Sequence, residues 1–345
     1  MTEHIFDSVK ANPRIEPFLA IWSWKIAAYL FLGGLVAGVM VFAAAAVLSR
    51  REQALAFTAK RLPLIGFVLL MAGLFVLWLD IERKLMAWRF FTAFEPTSPM
   101  SWGSWVLIIS TPLIVLQALA FLREGYPPIA RFLEGLPWIG GTLVRWVIDL
   151  AYAWRRPVAA VSVVFGLTLG VYTGILLSAF NARPFWHTAL LGPLFLTSGL
   201  STAAALVILL ARQSEERHLF TRIDFGLIVL ELAIIGLWIL DMRNGNALQQ
   251  QAAQHLLGGD YTALFWIGFI GLGLVVPLLF ELFSMRWHLA PVAIVTAVLI
   301  LGGGYLLRDI TLHVGQETKW KHVQNEFNPE LLKILTTRTE NSHAE

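Results

Sequence analysis

The chain has 345 residues, of which 57% are hydrophobic and only 14% charged, and its mean hydropathy is +0.68. A soluble domain carries roughly 25% charged residues, so this composition excludes a water-soluble globular chain. The absence of cysteine excludes disulfides and cysteine-ligated Fe–S clusters carried by the chain itself, and the net charge of +3 sits in loop clusters that read as topology signals, not as a nucleic-acid site.

Spanning a bilayer takes about 20 apolar residues per helix. Runs of that kind predict helices over 20–48, 62–80, 102–122, 157–180, 187–211, 222–242, 261–283 and 289–313. The expected fold is therefore an all-α integral membrane protein of about eight transmembrane helices. No signal peptide precedes the first run, which stays as a helix. Loop signals separate the runs, among them Ser49-Arg50-Arg51-Glu52 and Phe94-Glu95-Pro96-Thr97-Ser98-Pro99. The stretch 137–154 is apolar but broken by Arg145 and Asp149 and rich in Trp138, Trp146, Tyr152 and Trp154. That pattern fits an interfacial amphipathic helix better than a span.

Basic residues orient the bundle. The odd-numbered loops hold Arg50, Arg51, Lys60 and Arg61, then Arg123, Arg131, Arg145, Arg155 and Arg156, then Arg212, Arg217 and Arg222, then Arg286. The even-numbered loops hold only Arg83, Lys84, Arg89, Arg183 and Arg243. The positive-inside rule places the odd loops in the cytoplasm and both termini outside.

Ionisable residues within the spans are functional candidates, because a charge in hydrocarbon is costly. Lys25 shares a face of the first helix with Trp22 and Tyr29, and Gly33 and Gly34 follow one turn deeper, where a neighbouring helix or a flat ring can approach. An interfacial Trp–Lys anchor explains the same spacing. Asp80, Glu82, Arg83 and Lys84 close the second helix, a place where interfacial ion pairs also occur. Tyr172 lies in Gly170-Val171-Tyr172-Thr173-Gly174 of the fourth helix. Counting from the predicted helix ends puts Tyr29 and Tyr172 both roughly 12–14 Å below the outer boundary, so their hydroxyls, with Lys25 and Asp80 nearer the surface, line one polar pocket. In the sixth helix Glu231 falls near the midplane, with Asp224 seven residues earlier on the same face and Asp241 toward the other end. These carboxyls and Arg308 of the last helix read as a proton path or, equally, as hydrogen-bonded structural groups. No histidine lies deep inside a predicted helix, so the chain is expected to bind no haem.

Four motifs carry a resemblance. The run from Trp22, Trp24 and Lys25 through Tyr29 to Gly33, Gly34 and Gly38 resembles the first helix of the polysulfide-reductase membrane subunit family, also called NrfD-like. Phe94 to Gly103 resembles the entry to its third helix, Tyr172-Thr-Gly174 with Arg183-Pro-Phe-Trp186 its fourth helix and following loop, and Gly302 to Arg308 with Gly315-Gln316 its closing helix. The resemblance covers nearly the whole chain. It implies two four-helix bundles, here 20–180 and 187–313, between an N-terminal periplasmic segment 1–19 and a C-terminal periplasmic tail 314–345. It implies a quinone site, for menaquinone or ubiquinone, in the first bundle near the outer face of a bacterial cytoplasmic membrane. It also implies a ferredoxin-like partner with four Fe–S clusters, together with a molybdopterin or other catalytic subunit. Family positions that contact the quinone match Tyr29 and Tyr172, the acidic end of the second helix matches Asp80, and Trp24 and Lys25 complete the set. Tyr29 stands where some members carry a histidine. The resulting expectation is a quinone-reactive subunit of a respiratory oxidoreductase with no redox metal of its own. A proton-coupled transporter or channel, and a purely structural membrane anchor, are the alternatives.

Overall fold

The computed structural model describes residues 22–318 apart from 82, 87, 93, 138, 181, 182, 288 and 289. The predicted N-terminal segment and most of the predicted C-terminal tail lie outside the described residues. Eight helices are long and apolar enough to cross a membrane. They are α1 (Trp24–Leu48), α2 (Leu62–Asp80), α3 (Pro99–Ala120), α4 (Arg155–Ser178), α5 (Leu191–Leu210), α6 (Ser214–Asn244), α7, which is π-helical over Leu264–Val275 and α-helical over Val276–Trp287, and α8 (Ala290–Glu317). Each overlaps one predicted span. The largest difference is α6, which begins eight residues before the expected start at 222. Hydropathy marks only the apolar part of a helix. The polar turn Ser214-Glu215-Glu216 continues it outward, with two carboxylates placed favourably at the positive end of the helix dipole.

Helix starts follow local chemistry. The Ser23 side chain accepts from the Lys25 backbone N–H at 3.5 Å and caps α1. Pro63 and Pro99 occupy the first turns of α2 and α3, where a missing N–H costs nothing. The stretch 137–154 forms a 15-residue amphipathic helix, Ile139–Ala153, too short to be counted with the eight spans.

The first four spans pack on one another through α1–α2, α1–α4, α2–α3 and α3–α4, and the last four through α5–α6, α5–α8, α6–α7 and α7–α8. The two sets are not separate bodies. α5 packs on both α1 and α4, α8 reaches α1, and one hydrophobic core runs from Ala27 to Val314. Without a hydrophobic driving force between helices in lipid, close backbone approach through small residues supplies the packing. The α1–α5 contact is of that kind. A Cβ placed on Gly38 would stand 2.6 Å from both the Ala203 Cβ and the Gly199 carbonyl oxygen, and one on Gly199 would stand 2.5 Å from the Gly34 carbonyl oxygen.

Trp22, just before α1, and the end of α8 are tied together by polar groups. The Trp22 N–H donates to Gln316 Oε1 (3.0 Å), and Gln316 Nε2 donates back to the Trp22 carbonyl (2.9 Å). Trp186 stacks on Trp22 with centroids 5.6 Å apart and donates its indole N–H to the Thr311 carbonyl at 2.7 Å. Arg183, fully buried in the α4–α5 loop, donates to the Gln316 and Thr318 carbonyls at 3.0 and 2.7 Å. Burial pushes its guanidinium below the ordinary arginine value, while these acceptors hold its protons.

The α1–α5 contact yields a paired test. Gly38→Ala is expected to destabilise the detergent-solubilised protein by about 1–3 kcal/mol, the usual cost of overpacking. Gly226→Ala on α6, where an added Cβ meets nothing within 4 Å, is expected to leave thermal unfolding unchanged. Equal melting temperatures for the two variants would contradict this account of the interface.

Candidate functional site

At the end of the bundle where Trp22 meets Gln316, four spans contribute polar or permissive residues. Lys25 stands one residue into α1 and Asp80 is the last residue of α2. Their side chains meet at 3.5 Å, with the lysine 33% and the aspartate 17% exposed. The pair lies at the rim, where water screens it, and positions the two groups without adding much stability.

Below the rim lie the two tyrosines. Tyr172 of α4 is 6% exposed and Tyr29 of α1 is half-buried, and the two phenols are close enough to interact electrostatically. Neither hydroxyl has a hydrogen-bond partner among the described residues. Tyr29 is five residues from the start of α1 and Tyr172 six from the end of α4. At 1.5 Å per residue both sit roughly 8–9 Å below the helix ends. The matched depth agrees with the sequence reading, but the value is shallower than expected, because α1 begins at Trp24 and α4 ends at Ser178.

The Tyr172 ring owes its position to α3. A Cβ built on Gly103 would overlap the Tyr172 hydroxyl, so only glycine at 103 lets the phenol lie across that helix. This gives Phe94–Gly103 a physical role that its sequence pattern did not reveal. The same segment is held by Trp102, whose indole N–H donates to the Pro96 carbonyl at 2.7 Å. Glu95 accepts from the Thr97 hydroxyl at 2.7 Å, and its hydrogen bonds from Thr97 hold its carboxyl below the usual range. Trp24, grouped with the site by resemblance, is 58% exposed, while Lys25 and Tyr29 turn toward α2 and α4.

A second polar cluster fills the middle of α5–α8. Arg308, fully buried, donates through Nη1 to Ser198 Oγ (2.8 Å) and the Gly304 carbonyl (2.7 Å), and through Nη2 to the Phe195 carbonyl (3.0 Å). Glu231 lies in its electrostatic field. Asp224 accepts from Ser201 Oγ at 2.6 Å, and its carboxyl faces that of Glu281 on α7. Among the described residues, one oxygen of Asp224, one of Glu231 and both of Glu281 lack a hydrogen-bond partner. Arg308 also reaches α1, since a Cβ on Gly34 would stand 2.8 Å from Nη2. Gly34 is five residues from Tyr29, so the two polar regions nearly meet.

Asp224, Glu231 and Arg308 are thus brought together, but Asp241 is not. It is exposed near the far end of α6 and accepts from Thr188 Oγ1 at 3.1 Å. Ten residues beyond Glu231, it is turned by about 280° and displaced by roughly 15 Å along the helix. Glu281 is the residue that sequence reasoning missed. Its signal was the same as that of Glu231, an acid in an apolar run, but the predicted helix ended two residues later at 283. The helix runs on to Trp287 and leaves Glu281 buried.

These features define a multi-pass membrane protein with a polar cluster near one end of the bundle and a group of buried ionisable residues behind it. The chain belongs to the family described as Polysulphide reductase, NrfD, which it matches over residues 14–318. It is 32% identical over 314 residues to Protein NrfD of Escherichia coli K12, with 86% of this sequence and 96% of that protein covered. It is 27% identical over 308 residues to the C chain of polysulfide reductase from Wolinella succinogenes, with 86% and 94% covered. It is 24% identical over 333 residues to the C subunit of tetrathionate reductase from Salmonella typhimurium, with 94% and 86% covered.

Proposed function

We propose that this protein is the membrane subunit of a bacterial reductase complex and exchanges electrons between a partner Fe–S subunit and membrane menaquinone or ubiquinone. The observation that carries the reading is the pair of tyrosine hydroxyls, without hydrogen-bond partners among the described residues and close to one another beneath the Lys25–Asp80 ion pair. The relatives are named as components of polysulfide and tetrathionate reductases, which supports membership of a multisubunit complex. In this reading the partner is a ferredoxin-like subunit with four Fe–S clusters, joined by a molybdopterin or other catalytic subunit. It docks at the face that bears the pocket. The distribution of basic loops puts that face, and both termini, in the periplasm.

A quinone bound here supplies two-electron redox chemistry in which negative charge develops on its oxygens. The residues of the pocket answer that charge. Tyr172, and Tyr29 with the Lys25 ammonium, would hold the quinone by donating hydrogen bonds to its oxygens. Asp80, at the rim and 17% exposed, exchanges protons with water and passes them inward through its lysine partner's side of the pocket. Gly103 leaves room for the Tyr172 hydroxyl to lie across α3.

Tyr172→Phe is expected to lower quinol-linked turnover of the assembled complex by about 10–100-fold, the range for one hydrogen bond to a charged group. Gly103→Ala, which displaces the hydroxyl without removing it, is expected to do the same. Wild-type turnover with unchanged quinone affinity in both variants would remove Tyr172 from the site.

A second element of the reading is proton transfer through Glu281, Asp224, Glu231 and Arg308. The oxygens of the three carboxyls that lack a partner among the described residues and the approach of Arg308 to Gly34 favour it over a structural role alone. In liposomes holding the whole complex, Glu231→Gln is expected to reduce proton movement per electron while electron transfer continues. An unchanged proton-to-electron ratio would confine the cluster to structure. Proton flux through the purified protein alone, without partner or quinol, would favour a transporter or channel.

A further inference from the structure

The end of the bundle that bears the odd-numbered loops holds a surface that the pocket and the ionisable cluster do not use. Helix Ile139–Ala153 packs against α3 and against the short helix Pro127–Glu134. One of its faces is buried, with Ile148 beside Leu122 and Ala130, and Ala151 beside Phe121 and Ala159. The opposite face presents Leu143, Trp146 and Leu150, at spacings of three and four residues that form one stripe. Trp146 is 60% exposed, and Phe132 of the neighbouring short helix is 71% exposed.

Cations without counter-ions flank this stripe. Glu134 and Asp149 are both engaged by Arg123. Arg145, Arg155 and Arg156 form no ion pair with a carboxylate among the described residues. Arg145 donates to the Glu134 main-chain carbonyl at 3.1 Å, and Arg155 donates to the Tyr152 carbonyl at 2.8 Å while lying 4.2 Å from that tyrosine's ring centroid. Their remaining N–H groups stay available. The stripe lies where the spans end, because α3 stops at Ala120 and α4 starts at Arg155.

We propose that this surface is a binding site for anionic phospholipid. The apolar stripe enters the acyl region of the leaflet it faces, and Arg145, Arg155 and Arg156 hold headgroup phosphates. An amphipathic helix with aromatic and aliphatic residues on one side and arginines beside it is suited to lie in the headgroup–acyl boundary. The guanidinium fork matches phosphate geometry, and among the described residues these arginines form no ion pair with a carboxylate. Charge complementarity and continuity with the lipid-facing sides of α3 and α4 favour a lipid over a soluble protein as the occupant.

The test uses the whole complex extracted in mild detergent, with co-purified phospholipids quantified by mass spectrometry against the source membrane. Wild type is expected to retain anionic over zwitterionic phospholipid in excess of the membrane ratio. Arg145→Gln/Arg155→Gln/Arg156→Gln is expected to cut that enrichment by at least about fivefold, the factor that one cation near an anionic surface contributes. Lysine at the same three positions, which keeps the charge, is expected to keep most of it. Should the glutamine variant not accumulate, wild type and Trp146→Phe provide the readout. Brominated phosphatidylglycerol is expected to quench the Trp146 fluorescence more than brominated phosphatidylcholine at equal mole fraction. Membrane-like lipid composition in wild type, equal quenching by the two lipids, or enrichment unchanged in the glutamine variant would overturn the proposal. So would loss of a bound protein from that variant with its lipids unaltered.

Discussion

A polar group taken out of water must find a partner or carry a penalty of several kcal/mol, and within a bilayer no water is at hand to relieve it. Several of the most expensive groups in this protein obey that constraint, whereas the buried carboxyls of Asp224, Glu231 and Glu281 keep oxygens without a hydrogen-bond partner among the described residues. The guanidinium of Arg308 has three acceptors, that of Arg183 has two main-chain carbonyls, and the buried carboxylate of Glu216 takes the Phe57 and Thr58 N–H groups and the Thr58 hydroxyl. Tyr29 and Tyr172 are different. Single unpaired hydroxyls also occur at Ser110 and Ser162, but the two phenols lie together, at one depth, from two helices, and beneath an ion pair. In the proposed reading, a cluster of donors in that setting serves an oxygen-bearing ligand that comes from the lipid.

The rest of the fold supplies the rigidity this arrangement needs. Close approach of α1 and α5 at Gly34, Gly38 and Gly199 fixes α1 in the centre of the bundle. The Trp22–Gln316 amide pair and the Trp186 stack then tie the start of α1 to the end of α8 and to the loop after α4. Since Tyr29 follows Trp22 on α1 and Tyr172 precedes that loop on α4, the same ties set the relative height of the two phenols. The motifs that carry the family resemblance are therefore largely structural: glycines that admit a neighbour, and tryptophan, arginine and glutamine that close one end.

Much of this was legible in the sequence. The eight spans follow from length and hydropathy, and counting residues from helix ends placed Tyr29 and Tyr172 level with each other. Seven-residue spacing put Asp224 and Glu231 on one face. Other features depend on contacts between distant segments and were not legible. Nothing in Ser101-Trp102-Gly103 says that glycine is needed because a tyrosine from the next span lies across it. Arg183 reads as a loop cation, yet it is buried beneath the end of α8. Asp241 was grouped with Glu231 by its position along the helix, and its angle around the helix separates them. Glu281 was passed over because the predicted boundary fell two residues beyond it. Depth was overestimated for a related reason, since apolar residues beyond a helix end are indistinguishable from residues within it.

The central claim, that a lipid-soluble quinone sits against Tyr29 and Tyr172, is tested most directly by location. A photoreactive quinone analogue is cross-linked to the purified complex with and without excess unlabelled quinone, and the labelled peptides are mapped. The account predicts competable labelling on the Lys25–Gly34 stretch of α1, at the Asp80 end of α2 and around Tyr172 of α4. Competable labelling confined to α5–α8, or to a partner subunit, would contradict it.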